Sequence, residues 1–223
     1  MDVIFYPAAD EVQEVQEWIN ERNANIQAIQ IPVYSYSNDE ITLRKSSNSW
    51  EDKIVLMVAG FAHPPNISAA LWMINMVWPL IQNEMPEAKL VIAGSHPPQE
   101  IIDLAAPSIT VTGSLSEIEL EELYLSSRIA VAPILHGAGV NGKIVEALKF
   151  GVPCITTAMG ARGFENLNSS ILIADNQQDF ASACLLLLSN NQMRENQSAA
   201  GIQYVQNNFS NKKLDLALSI ITN

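Results

Sequence analysis

Between residues 53 and 173 the chain alternates short apolar runs with amphipathic stretches, and that alternation leaves few folds open. The apolar runs span 54–59, 89–93, 109–112, 129–132, 154–157 and 171–174. Several are continuous rather than alternating, as in strands buried on both faces of a parallel sheet. Helix-like segments at 68–83, 99–104, 116–126 and 143–150 separate them, and Ser116 with Glu119 has capping-box spacing. Repeated strand–helix–strand units predict an α/β domain built on a doubly wound parallel sheet of about six strands with right-handed crossovers. Ligands on such sheets sit beyond the carboxyl ends of the strands. Gly60, Gly94, Gly113, Gly137 and Gly160 each follow a predicted strand, on that one rim.

Either side of this region the pattern changes. After residue 175 the chain reads as helical, over 178–189, 192–207 and 212–221, with Ser210 placed to cap the last. The start reads as a strand over 2–7, an acidic helix over 10–22 and a strand-like run over 26–36. Polar residues 37–52 then read as a linker. One β–α–β piece is too small to fold as a domain of its own. The expected division is 1–52, a short N-terminal β–α–β remnant and linker, and 53–223, the main domain with its C-terminal helices.

Composition narrows the partners. With 48% hydrophobic and 16% charged residues, the 223-residue chain has ample material for a buried core. A net charge of −12 argues against nucleic acid, which needs clustered Lys and Arg, and offers little to an anionic membrane surface. Cys154 and Cys184 lack any CxxC partner and read as buried thiols of a reducing compartment. The first residues, MDVIFYPAADE, turn acidic at once, unlike a secretion leader. No apolar run is long enough for an integral membrane segment. These features predict a cytoplasmic location, with peripheral attachment at the inner face of a membrane left open.

The richest stretch in chemistry is PILHGAGVNGKIVEALKFGVP, residues 133–153. A strand ends at Pro133, and Gly137, Gly139 and Gly142 make a loop that feeds a short amphipathic helix. Glycines let backbone N–H groups approach a phosphate closely, and the helix dipole favours its charge. Glu146, one turn into that helix, is within reach of a ribose hydroxyl pair.

Three blocks in register resemble the donor-binding half of group 1 glycosyltransferases of the GT-B fold. GFAHPPNISAALWMINMVWPLIQNEMPEAKLVIAGS is similar to the family's opening loop, long helix and second strand. ITVTGSLSEIELEELYLSSRIAVAP and GAGVNGKIVEALKFGVPCITTAMGARG are similar to its next two blocks, and together the blocks cover about half of the chain. The resemblance implies a Rossmann-like domain and a hexosyl-type enzyme. Such an enzyme transfers a sugar from a nucleotide-diphosphate donor to an acceptor hydroxyl on a glycan, lipid or small molecule. It implies that Glu146 holds the ribose and that Lys143 lies beside the donor phosphates. It also implies that Gly137, Ala138, Gly139, Val140 and Asn141 bring backbone to the donor, and that Thr112 and Gly113 begin the loop that clasps the base. Gly60, His63 and Arg162 complete the expected donor-binding set. No cofactor is implied beyond the donor itself.

The chain departs from the family pattern in three places. Many members carry a second glutamate two helical turns before the ribose-binding one; its place here is Ala138. Many place Arg and Lys in the first loop, whereas 60–66 offers only His63. DVIFYPAADEVQEV resembles the end of a preceding acceptor domain, so the chain reads as a fragment or a half-enzyme, with the catalytic residues in that other domain. There is no metal-ligand spacing and no Asp-x-Asp motif, and donor binding is expected to be metal-independent. Trp72 and Trp78 on the long helix read as core rather than sugar platforms, and the acidic helix at 10–22 as a solvated face. The competing reading of the whole is a non-catalytic nucleotide-sugar-binding or docking module.

Overall fold

The computed structural model describes residues 2–37, 39–41, 52–137 and 139–219. The chain begins with β1 (Asp2–Tyr6), α1 (Ala9–Glu21) and β2 (Ile26–Gln30), in which β1 and β2 pair in parallel as a small separate sheet. The main sheet follows: β3 (Ile54–Val58), β4 (Lys89–Ala93), β5 (Ile109–Val111), β6 (Ile129–Ala132), β7 (Cys154–Thr156) and β8 (Ile171–Ile173). Its order is β5-β4-β3-β6-β7-β8, and all neighbours are parallel. The chain therefore enters at the centre, walks to one edge, returns across β3 and walks to the other. This is the doubly wound Rossmann-like order, and its direction reverses between β3 and β6.

Side-chain alternation divides the core in two. Val55 and Met57 of β3, Leu90 and Ile92 of β4, and Ile129 and Val131 of β6 face one layer. Their neighbours Leu56, Ala130 and Ala132 face the other. The first layer is covered by α2 (Pro64–Trp72), α3 (Trp78–Glu84), α4 (Gln99–Ile102) and α7 (Gln177–Ser189). The second is covered by α5 (Glu117–Ser126), α6 (Gly142–Lys149) and α8 (Asn191–Asn208). Both faces of the sheet are thus dry, which is why its strands are apolar runs rather than alternating ones. Trp78 is buried and Trp72 packs edge-on against Phe180, so both tryptophans belong to the core. Cys154 and Cys184 are buried free thiols, and burial pushes the Cys154 thiol up to about 12.

Helix ends follow their caps. Ser116 and Glu119 form the full capping box, and the Ser210 side chain accepts from the Lys213 N–H to start α9 (Asn211–Leu218). Two elements differ from expectation. The helix predicted at 68–83 starts at Pro64 and runs to Glu84, interrupted by a π-helical turn over Met73–Val77. Pro64 and Pro65 occupy the first turn, where no N–H partner is required. Pro79 has no N–H to give and its ring would crowd the carbonyl four residues back, so the helix widens just before it. The strand-like run over 26–36 pairs only to Gln30. Pro32 cannot donate to a ladder, and the chain then turns to the C-terminal region. There the Tyr36 N–H donates to the Phe209 carbonyl at 2.9 Å, and the Asn211 N–H donates to the Tyr36 carbonyl at 3.0 Å. The acidic face of α1 is solvated, with Ile19 turned inward. Much of the expected linker over 37–52, and the end of the expected helix over 212–221, lie outside the described residues.

Candidate functional site

The reversal between β3 and β6 sets where a site can be. Loops leaving two adjacent strands in opposite directions open a crevice at their carboxyl ends. Such a crevice is present, a cavity of about 410 Å³. The loop after β3 contributes His63, Pro65 and Asn66 to its wall. The glycine loop after β6 contributes Ile134, His136, Gly137, Gly139, Val140 and Asn141, and α6 contributes Gly142 and Lys143. Met159 closes the side toward β7.

The glycine loop is held open by its neighbours rather than by its own contacts. Gly139 has φ +77°, a left-handed conformation costly for any side chain. Below it, the Thr157 hydroxyl donates to the Ile134 carbonyl and accepts from the Gly160 N–H, which fixes the loop base to the segment after β7. The loop then delivers the chain into α6, whose first N–H groups have no partner within the helix. The Tyr34 ring packs over the start of α6: a Cβ at position 142 would stand 2.3 Å from the Tyr34 hydroxyl, so a side chain there would push that ring aside.

Lys143 is the cation of this cavity. Its ammonium donates to Asn66 Oδ1 at 2.7 Å, and Asn66 Nδ2 donates to the Gly60 carbonyl at 2.7 Å. One buried amide thereby ties the loop after β3 to the first turn of α6. Burial pulls the Lys143 pKa down, and the Glu146 carboxylate one turn along opposes that shift. An ammonium short of water and holding one neutral partner is well placed to bind an anion.

Glu146 stands one turn further along α6. It lines a second cavity, of about 550 Å³, with Tyr36, Leu120, Tyr124, Lys149 and the acidic residues Asp39, Glu40, Glu117 and Glu121. The Tyr124 hydroxyl donates to Glu146 Oε2 at 3.1 Å, while the Tyr124 ring stacks on Phe150 with centroids 5.1 Å apart. Tyr124 is 1% exposed. Burial first, and the Glu146 charge second, push its hydroxyl well above the ordinary value. Tyr36 is raised to about 12 by burial and then by Glu146. Its ring also lies 4.7 Å from the Lys149 ammonium.

The expected donor-binding residues thus divide. His63, Gly137, Gly139, Val140, Asn141 and Lys143 converge on the first cavity. Gly60 joins it through Asn66. Arg162 is exposed and rests against Met159, with Nη1 3.9 Å from the sulfur, at the cavity's margin. Glu146 lines the second cavity, and α6 is the wall between the two. Thr112 and Gly113 lie at the end of β5, the sheet edge, where Gly113 accepts from the Gly94 N–H, and they line neither cavity. Ala138 lies outside the described residues. Sequence reasoning missed Asn66, Tyr124, Tyr34 and Tyr36. Asn66 follows two prolines at a helix start, a position that marks it as ordered; the tyrosines are far from their partners along the chain and carried no local signal.

Comparison with known proteins gives this architecture a family. The model of the group 1 glycosyl transferases matches residues 52–190, more than half of the chain. The chain belongs to the group 1 glycosyl transferases. Among curated proteins it is 27% identical over 168 residues to an uncharacterized 44.6 kDa protein of the cps region of Klebsiella pneumoniae, covering 72% of this chain and 43% of that protein. Its fold superposes on S. aureus TarM, solved with UDP, fondaparinux and alpha-GlcNAc-glycerol. There the TM-score is 0.75 and the identity 13%, over 98% of this chain and 43% of that one. The pneumococcal O-GlcNAc transferase GtfA, solved with UDP and GlcNAc, gives a TM-score of 0.73 at 16% identity, over 100% of this chain and 46% of that one. The sucrose-phosphate synthase of Thermosynechococcus elongatus gives 0.73 at 16%, over 99% of this chain and 57% of that one. The chain therefore spans about half the length of these relatives. No described helix is long and apolar enough to cross a membrane. Among the described residues no three His, Cys, Asp or Glu side chains gather where a metal would sit.

Proposed function

We propose that this chain is the donor-binding half of a glycosyltransferase, holding a nucleotide-diphosphate sugar for transfer of its glycosyl group to an acceptor hydroxyl. The observation that carries the reading is the convergence of Lys143, the glycine loop and the start of α6 on one cavity at the point where the sheet order reverses. Backbone N–H groups and one desolvated ammonium suit a diphosphate, whose charge they would offset as the sugar–phosphate bond breaks. The ribose would lie across the first turn of α6 with its hydroxyl pair on Glu146, one oxygen of which is engaged by Tyr124. The fold likeness to proteins solved with UDP supports the ligand class. On this reading the donor is a hexosyl nucleotide bound without a metal ion, and residues 53–223 form the donor domain. The acceptor and the group that activates it belong to a partner domain absent from these 223 residues.

A second reading is a module that binds a nucleotide sugar without transferring it, favoured by a first loop with no Arg or Lys over 60–66. Assay of sugar transfer and donor hydrolysis by this chain, with and without a complete relative's acceptor domain, separates the two. The binding claim common to both is tested by a thermal-shift panel of UDP, GDP, ADP and their sugars, with EDTA in parallel. A ligand at a hundred times its Kd adds roughly 2.7 kcal/mol of apparent stability. The reading expects one base to shift the melting temperature, with EDTA making no difference; a flat panel rejects it.

A further inference from the structure

We propose that Asn66 is a positioning residue for the diphosphate site: it carries the Lys143 ammonium across the crevice to a first loop that has no cation of its own. The proposal rests on the donor-site reading above and adds to it a residue that neither the sequence nor the comparisons assign.

Three observations converge on Asn66. First, the loop over 60–66 holds only His63 among basic side chains, so an anion between the two loops meets no fixed charge from that side. Second, Asn66 is 9% exposed and both ends of its amide are engaged, the nitrogen donating to the Gly60 carbonyl and the oxygen accepting from Lys143, each at 2.7 Å. The two bonds also fix its orientation, because only the oxygen end can receive an ammonium and only the nitrogen end can serve a carbonyl. Third, Asn66 sits in the first turn of α2 behind Pro64 and Pro65, which hold that turn rigid without needing hydrogen bonds themselves. A lysine side chain has four rotatable carbons, and fixing it costs conformational entropy at the moment a ligand binds. Asn66 supplies that order beforehand. It takes one of three ammonium protons and leaves two directed at the cavity. A carboxylate in its place would hold the lysine equally well but cancel its charge; a neutral amide holds it and keeps the charge for the ligand.

The test is a double-mutant cycle read by calorimetry with UDP, GDP and ADP as the probes. Variants are Asn66→Ala, Asn66→Asp, Lys143→Ala and the pair Asn66→Ala/Lys143→Ala. Asn66→Ala is expected to weaken diphosphate binding about tenfold, the effect of losing one hydrogen bond to a charged group. In the Lys143→Ala background the same change is expected to cost nothing further, which a purely structural role for Asn66 would not produce. Asn66→Asp keeps the size and the acceptor, and is expected to weaken binding as well. Full additivity in the cycle, tighter binding by Asn66→Ala, or wild-type affinity in Asn66→Asp overturns the proposal while the donor site stands. If the wild-type chain binds none of the three diphosphates, the donor-site reading and this proposal fall together.

Discussion

Glu146 and Lys143 are one helical turn apart on the face of α6 away from its buried residues, and they line different cavities. Their chemistry is set by what lies behind each: a buried tyrosine hydroxyl behind the carboxylate, a buried amide behind the ammonium. Replacement of Glu146 by Ala is expected to weaken nucleoside diphosphate binding at least about tenfold, two hydroxyl contacts to a charged acceptor being lost, and to cost about 1–3 kcal/mol of stability as the buried Tyr124 hydroxyl loses its acceptor. Unchanged calorimetric affinity would remove Glu146 from the ribose. Tyr36 gives a pH prediction. Its hydroxyl is held at about 12, against about 10 in an unfolded chain, mainly by burial and then by Glu146. A raised folded value means that the fold favours the protonated form. That stabilising contribution is complete below pH 10 and is lost as the pH rises from about 10 through 12. Urea midpoints measured across that range should fall more steeply for the wild type than for Tyr36→Phe; parallel curves would contradict the assignment. At this scale the sequence was legible only where chemistry is local. Gly137, Gly139 and Gly142 lie close together along the chain just before Lys143, and the structure brings all four onto one cavity. Asn66 and Tyr124 carried no such local signal, since their partners are 77 and 22 residues away.

The elements obey simpler rules, and more of them could be read directly. Apolar runs became strands because both sheet faces are covered, and caps became helix starts because the first N–H groups need acceptors. Ser116→Ala removes one half of a capping box and should cost about 1 kcal/mol in chemical denaturation. What local reading could not supply was geometry produced by packing. The π turn over Met73–Val77 follows from Pro79 within a helix that the core holds straight on either side. Gly94 is similar: in sequence it is one more rim glycine, but a Cβ there would lie 1.6 Å from the Ala59 carbonyl oxygen of the adjacent strand end. Backbone cannot yield as a side-chain tip can. Gly94→Ala should destabilise the protein by about 3 kcal/mol or more by forcing the ends of β3 and β4 apart. Wild-type stability in that variant would contradict the close approach of the two strand ends.

At the scale of the whole molecule, strand order does what no single residue can. The reversal between β3 and β6 selects one crevice among five junctions between neighbouring strands, and the residues with anion chemistry fall in it. The same order, shared with TarM and GtfA at 13% and 16% identity, survives because it depends on burial pattern rather than on particular side chains. The small β1–α1–β2 unit is joined to the C-terminal end of the chain through Tyr36, Phe209 and Asn211, so the first and last segments are held together beside α6. Tyr34, on that same segment, rests at the start of the helix that carries Lys143 and Glu146. No local pattern marks this connection, because the residues that form it stand 173 and 175 positions apart along the chain. The family, in contrast, was legible from three ordered blocks, and matching over residues 52–190 agrees with where they lie.

On the proposed reading one ligand spans the first turn of α6, its diphosphate on Lys143 and its ribose on Glu146. A crystal structure with the nucleoside diphosphate selected by the thermal-shift panel tests this most directly. The account predicts phosphate oxygens about 3 Å from the Lys143 ammonium and from backbone N–H groups of the glycine loop, and ribose hydroxyls at Glu146 with the Tyr124 bond retained. A diphosphate seated away from Lys143, or a ribose that leaves Glu146 bonded to Tyr124 alone, would contradict it.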